Sequence, residues 1–130
     1  MSARKVVAPS GAKQESVGPE LSAINEVRLV GRLATDPQQG ELPTGDTVWN
    51  LRVIVDRPAA AVRGPARVDA LECAVWAGRL KRSVPSWRAG DVVEVAGALR
   101  RRFFRSGGAV ASRFEVELTS GKVIRRRAAT

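Results

Sequence analysis

Aromatic rings set among arginines are the side chains of this chain best suited to chemistry. Trp76 lies on a strand face whose neighbours are polar or small, whereas the opposite face is apolar. Phe104 follows the run Arg100-Arg101-Arg102, and alternation places Arg100 and Arg102 on its side of the strand. An exposed ring can stack on a base while neighbouring cations contact phosphates. The pattern therefore predicts a surface that binds single-stranded nucleic acid.

Two further arginines are assigned to the same predicted surface. Arg52 lies on the non-core face of the second predicted strand, and Arg105 follows Phe104 directly. Structural interpretations stay open beside the functional one. Trp76 could be a partly buried residue at the end of a barrel, and Phe104 could be a packing contact within a hairpin. The arginine run could be a solvated face.

Several kinds of active site are excluded by composition. The chain contains no histidine and one cysteine, so it cannot form a Ser-His-Asp or Cys-His site or the usual His/Cys zinc site. No pair of carboxylates has an evident partner for acid–base catalysis. We therefore predict a binding protein without enzymatic activity, cofactor or metal. Cys73 falls on the core face of its strand and is interpreted as a small buried hydrophobe.

The positive charge is concentrated near the end of the chain. The net charge is +9, and residues 100–130 contain nine basic residues against Glu115 and Glu117. A localised basic field is typical of a protein with a polyanionic partner, although a solvated face would also account for it. A single cysteine and the lack of a long apolar segment predict a cytoplasmic protein that does not enter a membrane.

Alternating apolar residues predict five strands and one short helix that would position these side chains. The strands are Asn25–Leu33, Thr47–Asp56, Val68–Trp76, Asp91–Phe104 and Ala111–Thr119, and the helix lies within Gly78–Trp87. Gly31 predicts a bulge or bend in the first strand. Trp49 and Phe114 are predicted to be core residues, and Trp87 is predicted to pack under the helix. Residues 35–46 are predicted to be a loop or an open hairpin connection, and residues 57–67 a long loop between strands. Gly107-Gly108 is predicted to be a hairpin turn.

Five strands with a helix between the third and fourth predict an all-β, five-stranded OB-fold barrel. An SH3-like barrel lacks a helix at this position. We predict that the barrel occupies residues 23–120, after a disordered N-terminal arm at residues 1–22. Residues 121–130 are predicted to be a basic C-terminal tail that adds phosphate contacts beyond the barrel.

At these residues the chain resembles the bacterial single-stranded DNA-binding protein family. The matching segments are Asn25-Glu26-Val27-Arg28-Leu29-Val30-Gly31-Arg32-Leu33, Asp36-Pro37, Thr44-Gly45, Asn50, Arg52-Val53, Cys73-Ala74-Val75-Trp76, Gly90-Asp91-Val92-Val93-Glu94-Val95-Ala96-Gly97-Ala98-Leu99 and Glu115-Val116. Their order and spacing carry the resemblance, which covers about residues 25–119. The arginine content and the segment from Cys73 to Trp76 resemble an actinobacterial, tailless paralogue.

The resemblance implies an OB-fold homo-oligomer, usually a tetramer and in some cases a dimer, that binds and protects single-stranded DNA without sequence preference. It also implies a nucleoid-associated protein of replication, repair or recombination. By position, it implies stacking roles for Trp76 and Phe104 and phosphate contacts for Arg100 and Arg102.

The chain also departs from the family pattern. Further stacking aromatics are missing at Pro58-Ala59-Ala60 and Asp69-Ala70, and the chain ends in basic rather than acidic residues. The resemblance therefore implies no acidic-tip recruitment of repair enzymes. Two alternatives remain at this point: an RNA-binding OB domain, because stacking does not distinguish the sugars, and an OB-fold assembly subunit without a nucleic-acid role.

Overall fold

The computed structural model describes residues 21–128, which form six strands and one short α-helix. The elements are β1 (Val27–Leu33), β2 (Gln38–Glu41), β3 (Thr47–Asp56), β4 (Val68–Val75), α1 (Leu80–Ser83), β5 (Val92–Ser106) and β6 (Ala109–Arg125). Single 3-10 turns follow β3 and α1. Most of the predicted disordered arm at residues 1–22 lies outside the described residues.

Five of the strands close into a barrel in the order β1-β5-β6-β4-β3, and β3 pairs again with β1. The last contact is short, because only Arg32 and Leu33 pair across it. The β4–β6 pair is parallel and the others are antiparallel. The predicted five-stranded OB-fold barrel is confirmed. Of the two predicted forms of residues 35–46, the structure shows the hairpin connection, since β2 pairs antiparallel with the start of β3.

The core follows the alternation of the strands, and α1 covers one end of the barrel. Inward side chains from β1, β3, β4, β5 and β6 are buried with Leu80, Val84 and Trp87 from the segment between β4 and β5. Trp49 packs against this cluster as predicted. Trp87 is also buried as predicted, so it fixes the helical segment beneath the barrel.

Gly31 lies where β1 moves from β5 to β3 at the closure of the barrel. A Cβ at this position would overlap the backbone carbonyl of Ile54 in β3. Of the predicted bulge or bend at Gly31, the bulge is wrong, because β1 pairs with β5 in unbroken register. The glycine permits a close backbone approach where the barrel closes.

The last strand is longer than predicted because two register shifts interrupt its alternation. One shift lies opposite Ala96/Gly97 and the other opposite Val92/Val93. Before the first shift Val116 and Leu118 point inward; after it Gly121 and Val123 lie opposite the buried residues of β5. The alternation therefore stops at Thr119 although the strand continues.

The boundary predicted at residue 120 therefore falls inside the barrel. Residues 121–125 belong to β6 and pair with β5, so the basic tail does not begin at residue 121. Beyond the strand, the carboxylate of Asp91 accepts hydrogen bonds from the backbone N–H groups of Arg88 and Arg127 at 2.9 and 2.8 Å. The Arg126 guanidinium donates to the same carboxylate at 3.0 Å. These contacts join the end of the chain to the turn before β5.

Candidate nucleic-acid interface

Beyond the barrel, β5 and β6 continue as a two-stranded ribbon of residues 99–106 and 109–116. The predicted Gly107-Gly108 turn closes it, with Ser106 paired to Ala109 and both glycines at positive φ. Two-residue hairpin loops favour this backbone conformation, which glycine adopts without steric cost. Because side chains alternate, the ribbon presents two different faces.

The first face, which we call the tryptophan face, is that of the predicted site. It consists of Trp76 at the end of β4 together with Arg100, Arg102, Phe104, Arg113, Glu115 and Glu117. The second, which we call the phenylalanine face, is on the other side of the same ribbon. It consists of Leu99, Arg101, Phe103, Arg105, Val110, Ser112 and Phe114.

On the tryptophan face, Trp76 is held between a cation and a carboxylate. The Arg102 guanidinium lies over its ring at 4.7 Å from the centroid, and the indole N–H donates to Glu115 Oε2 at 3.2 Å. Phe104 is 40% exposed, and the Arg113 guanidinium lies 5.5 Å from its ring. The face therefore combines two aromatic rings with adjacent cations, which is the combination that single-strand binding requires.

The arginines of the tryptophan face are paired with two glutamates. Arg102 contacts Glu115 at 2.9 Å and Glu117 at 3.0 Å, while Arg100 contacts Glu117 at 3.1 Å. The hydrogen bond to Glu115 raises the pKa of Arg102 above its ordinary value. Glu115 is only 4% exposed, and its oxygens are contacted by Arg102, Arg113 and the indole N–H of Trp76. A phosphate on this face would have to share or replace these carboxylates.

Arg52 lies on the outer surface of the barrel, on the side where Trp76 stands. It pairs in register with Glu72 of β4, and its Nε donates to Glu72 Oε2 at 2.6 Å. The next outward pair along the sheet joins Ala74 to Glu117, which connects this surface to the tryptophan face. Arg52 thus extends the predicted surface but is already paired with a carboxylate.

Arg105 is separated from the other predicted residues. It follows Phe104 in a strand with no register shift in this part, so its side chain is on the phenylalanine face. Within the described residues it makes no ion pair. The structure therefore brings Trp76, Phe104, Arg100 and Arg102 together, places Arg52 beside them, and does not bring Arg105 to their face.

Phe114 is not a core residue, contrary to prediction. Its side chain is on the same face as Val116, as the alternation requires, but it is 58% exposed. The barrel ends near the Leu99–Val116 pair, and beyond it no strand formed by residues 21–128 covers this face of the ribbon. Phe103 on the same face is 64% exposed. The alternation of residues in the sequence identifies the face on which Phe114 lies, but it does not show where the barrel ends.

The thiol and the remaining titratable groups do not form a reactive site in the described part of the chain. Cys73 is buried, and burial, together with the nearby charges of Glu72 and Glu115, raises its pKa to about 12. Among residues 21–128, no group of three His, Cys, Asp or Glu side chains could hold a metal ion. No helix in the same range is long and apolar enough to cross a membrane.

The chain is similar to proteins named for single-stranded DNA binding. It is 32% identical over 81 residues to the single-stranded DNA-binding protein of Oceanobacillus iheyensis, an alignment covering 62% of this chain and 50% of that protein. It is 27% identical over 82 residues to single-stranded DNA-binding protein B of Bacillus subtilis, covering 63% and 73%. The chain thus spans about half the length of the first of these relatives.

A solved structure shares the fold, and a family model identifies the family. The structure described as "Plasmodium falciparum SSB complex with ssDNA" matches at a TM-score of 0.64 with 20% identity, covering 81% of this chain and 96% of that one. At this identity the likeness concerns the fold. The model of the Single-strand binding protein family matches residues 24–124, nearly the whole described barrel. The chain therefore belongs to the single-strand binding protein family.

Proposed function

We propose that this protein binds and protects single-stranded DNA without sequence preference, by base stacking and phosphate contacts. The observation that carries the proposal is the tryptophan face, where Trp76 and Phe104 stand among Arg100, Arg102 and Arg113 on an open surface. Every base has a π-face, so stacking on these rings is tolerant of sequence. Family membership and the names of the relatives support the same ligand.

The glutamates on this face are compatible with phosphate binding. The Arg100–Glu117 pair is partly exposed and contributes about 0–1 kcal/mol, so exchanging this carboxylate for a phosphate costs little. Glu115 is buried, so a phosphate at Arg102 shares the guanidinium with Glu115 and does not replace it. In the absence of DNA, the ion pairs with Glu115 and Glu117 hold both guanidinium groups over the tryptophan face.

The proposal extends to assembly and cellular role. We propose a homo-oligomer, a tetramer or a dimer, that acts at the nucleoid in the cytoplasm during replication, repair or recombination, without enzymatic activity. Family membership supports this part. Light scattering of the purified protein with and without poly-dT measures the mass of the assembly and the change on binding. A monomer under both conditions would contradict the oligomer.

The ligand is tested by titrating the protein with fluorescein-labelled poly-dT and competing with unlabelled poly-dT, poly-rU and duplex DNA. We expect competition by poly-dT at the lowest concentration and weak competition by the duplex. If poly-rU competed as well as poly-dT, the proposed ligand would be single-stranded nucleic acid in general and not single-stranded DNA. Failure to bind poly-dT at low salt would overturn the proposed function.

A further inference from the structure

The phenylalanine face of the ribbon is aromatic, exposed and cationic at once. Phe103 and Phe114 are 64% and 58% exposed, and Leu99 beside them is 45% exposed. The Arg101 guanidinium lies 5.4 Å from the Phe103 centroid and 5.3 Å from the Phe114 centroid. Large apolar side chains grouped on a surface mark an interaction site more often than scattered ones do.

The charge on this face is not compensated, in contrast to the tryptophan face. Its cations are Arg101 and Arg105, and no acidic residue stands on this side of the ribbon between residues 99 and 116. Within the described residues Arg101 donates only to Ser112 Oγ, at 3.1 and 3.2 Å, and makes no ion pair. A phosphate can therefore approach these two arginines without displacing a carboxylate.

We propose that the phenylalanine face is a second binding surface for the DNA strand that the tryptophan face binds, so that one strand contacts both sides of the ribbon. This inference rests on the proposed function. Bases would stack on Phe103 and Phe114, and phosphates would pair with Arg101 and Arg105. The two strands of the ribbon are about 4.8 Å apart and its tip is Gly107-Gly108, so a few nucleotides suffice to pass round it.

An exposed apolar patch could also bind a second copy of this chain, but the charge on the phenylalanine face disfavours that partner. Two copies joined through this face would bring Arg101 and Arg105 of each near those of the other, with no carboxylate on the face to pair with them. A single strand offers both missing partners, because its bases supply π-faces and its backbone supplies negative charge.

The test compares a double variant, F103L/F114L, with F104L on the tryptophan face. Leucine keeps an apolar side chain but removes the ring, so stacking is lost while apolar packing on a protein partner is largely kept. We expect F103L/F114L to weaken binding to an oligo-dT of about 30 nucleotides by about 5- to 100-fold, and to shorten the length of DNA covered per subunit. Circular dichroism and thermal melting check that each variant folds.

A second variant, R101A, tests the electrostatic half, and R63A in the β3–β4 loop is its matched control. We expect R101A to reduce the steepness of the salt dependence by about one phosphate contact, whereas R63A leaves it unchanged. Because Arg101 is exposed, this variant also serves if F103L/F114L fails to fold.

The outcomes separate this inference from the proposed function. If F104L weakens binding while F103L/F114L and R101A do not, the second surface is overturned and the proposed function stands. If F103D/F114D lowers the mass of the free protein in light scattering while F103L/F114L leaves the affinity for DNA unchanged, the face joins two copies and the inference is overturned. If the unmodified protein does not bind oligo-dT, both proposals fall.

Discussion

Trp76 illustrates how one side chain can be both structurally restrained and open to a ligand. Arg102 lies over its ring and Glu115 accepts its N–H, yet the residue is only partly buried. Fixing the ring in advance reduces the entropy lost when a base stacks on it. A base that stacks on Trp76 would therefore lie next to the Arg102 guanidinium.

We therefore predict that Trp76→Ala weakens binding of poly-dT by about 1–3 kcal/mol, because a stacking surface is lost. In the unmodified protein, tryptophan fluorescence should be quenched on binding, and Trp76→Ala should remove most of that change since Trp87 is buried and Trp49 packs on the core. Leu21→Ala, at another exposed apolar residue, is the control. A variant that unfolds but binds normally per folded molecule would assign Trp76 to the core instead.

Glu117 restrains two of the arginines assigned to phosphate binding. It accepts hydrogen bonds from Arg100 at 3.1 Å and from Arg102 at 3.0 Å. We predict that Glu117→Gln tightens binding of poly-dT and steepens its salt dependence, because both guanidinium groups lose a competing carboxylate. The measurement is a titration at two salt concentrations.

Glu72→Gln gives the matched comparison on the same outer surface, since Glu72 pairs with Arg52. If Arg52 belongs to the site, this variant tightens binding as well; if only Glu117→Gln does so, the site is confined to the ribbon. Unchanged affinity in both variants would mean that these arginines do not contact phosphate.

At the residue scale, alternation alone identified which side chains share a face. It correctly grouped Trp76 with the outer surface, and Phe104 with Arg100 and Arg102. The same alternation places Arg105 on the other face of the ribbon from Phe104. Arg105 was nevertheless assigned to the face of Phe104 because the two residues are adjacent in sequence. The carboxylate partners were not predictable in the same way, because the register of β5 on β6 decides that Glu115 and Glu117 face these arginines.

At the element scale, the turn before β5 is joined to the end of β6 through Asp91. The side chain is 1% exposed and accepts two backbone N–H groups and one guanidinium. Burial alone would raise the pKa of Asp91, but the hydrogen bonds from Arg127, Arg88 and Arg126 outweigh it and the pKa lies below its ordinary value. The charged form is therefore the one that the fold stabilises.

The sign of the pH dependence follows from this lowered pKa. Stability contributed by Asp91 is fully present above the pKa of the unfolded chain, near 3.8, and is lost as the pH falls through the lower folded value. We predict that Asp91→Asn lowers the free energy of unfolding at pH 7 by on the order of 1–3 kcal/mol, because a buried charged acceptor is lost. Urea unfolding between pH 3 and 7 measures both proteins.

The difference between the two proteins should shrink below about pH 4, where the Asp91 carboxylate begins to be protonated in the unfolded chain, and should continue to shrink until the folded carboxylate is protonated at lower pH. Asp69, whose pKa is also lowered through its hydrogen bond to Arg57, is present in both proteins and cancels in the comparison. A difference that stays constant from pH 7 to pH 3 would show that the Asn variant is destabilised through packing rather than charge.

Strand positions were predictable where the alternation is continuous and not where a register shift breaks it. The bounds of β3 were predicted as the structure has them, because Trp49 to Val55 alternate without interruption. In β6 the inward residues change from even to odd numbers after Leu118. A pattern of fixed period therefore ends at Thr119, whereas the strand continues to Arg125. β2 was not predicted as a strand, because its residues, Gln-Gln-Gly-Glu, carry no apolar alternation.

At the scale of the whole molecule, four of the nine basic residues near the end of the chain are already paired. Arg100, Arg102, Arg113 and Arg126 each contact a carboxylate. The other five make no ion pair within residues 21–128: Arg101, Arg105, Lys122, Arg125 and Arg127. Net charge alone could not predict this division, since it depends on which strands lie side by side. The number of phosphates that the protein neutralises is therefore smaller than its nine basic residues in this region suggest.

We predict a log–log slope of affinity for poly-dT against salt of roughly −3 per subunit, which corresponds to about four phosphates neutralised. An arginine that leaves a glutamate for a phosphate frees the carboxylate to recruit a cation from solution. That uptake offsets part of the counterion release from the DNA, so paired arginines contribute less to the slope than unpaired ones do.

On the ribbon the unpaired residues are Arg101 and Arg105, so these two should contribute more to the slope than Arg100 and Arg102 do. Replacing both with alanine should flatten it more than replacing Arg100 and Arg102, even if the second pair costs more affinity at a single salt concentration. Titrations at four salt concentrations between about 50 and 300 mM resolve the two slopes, and R63A again serves as the control. A slope near zero for the unmodified protein would remove electrostatics from the mechanism and leave stacking alone to hold the strand. If both double variants flattened the salt slope equally, Glu115 and Glu117 would no longer pair with Arg100 and Arg102 once DNA is bound.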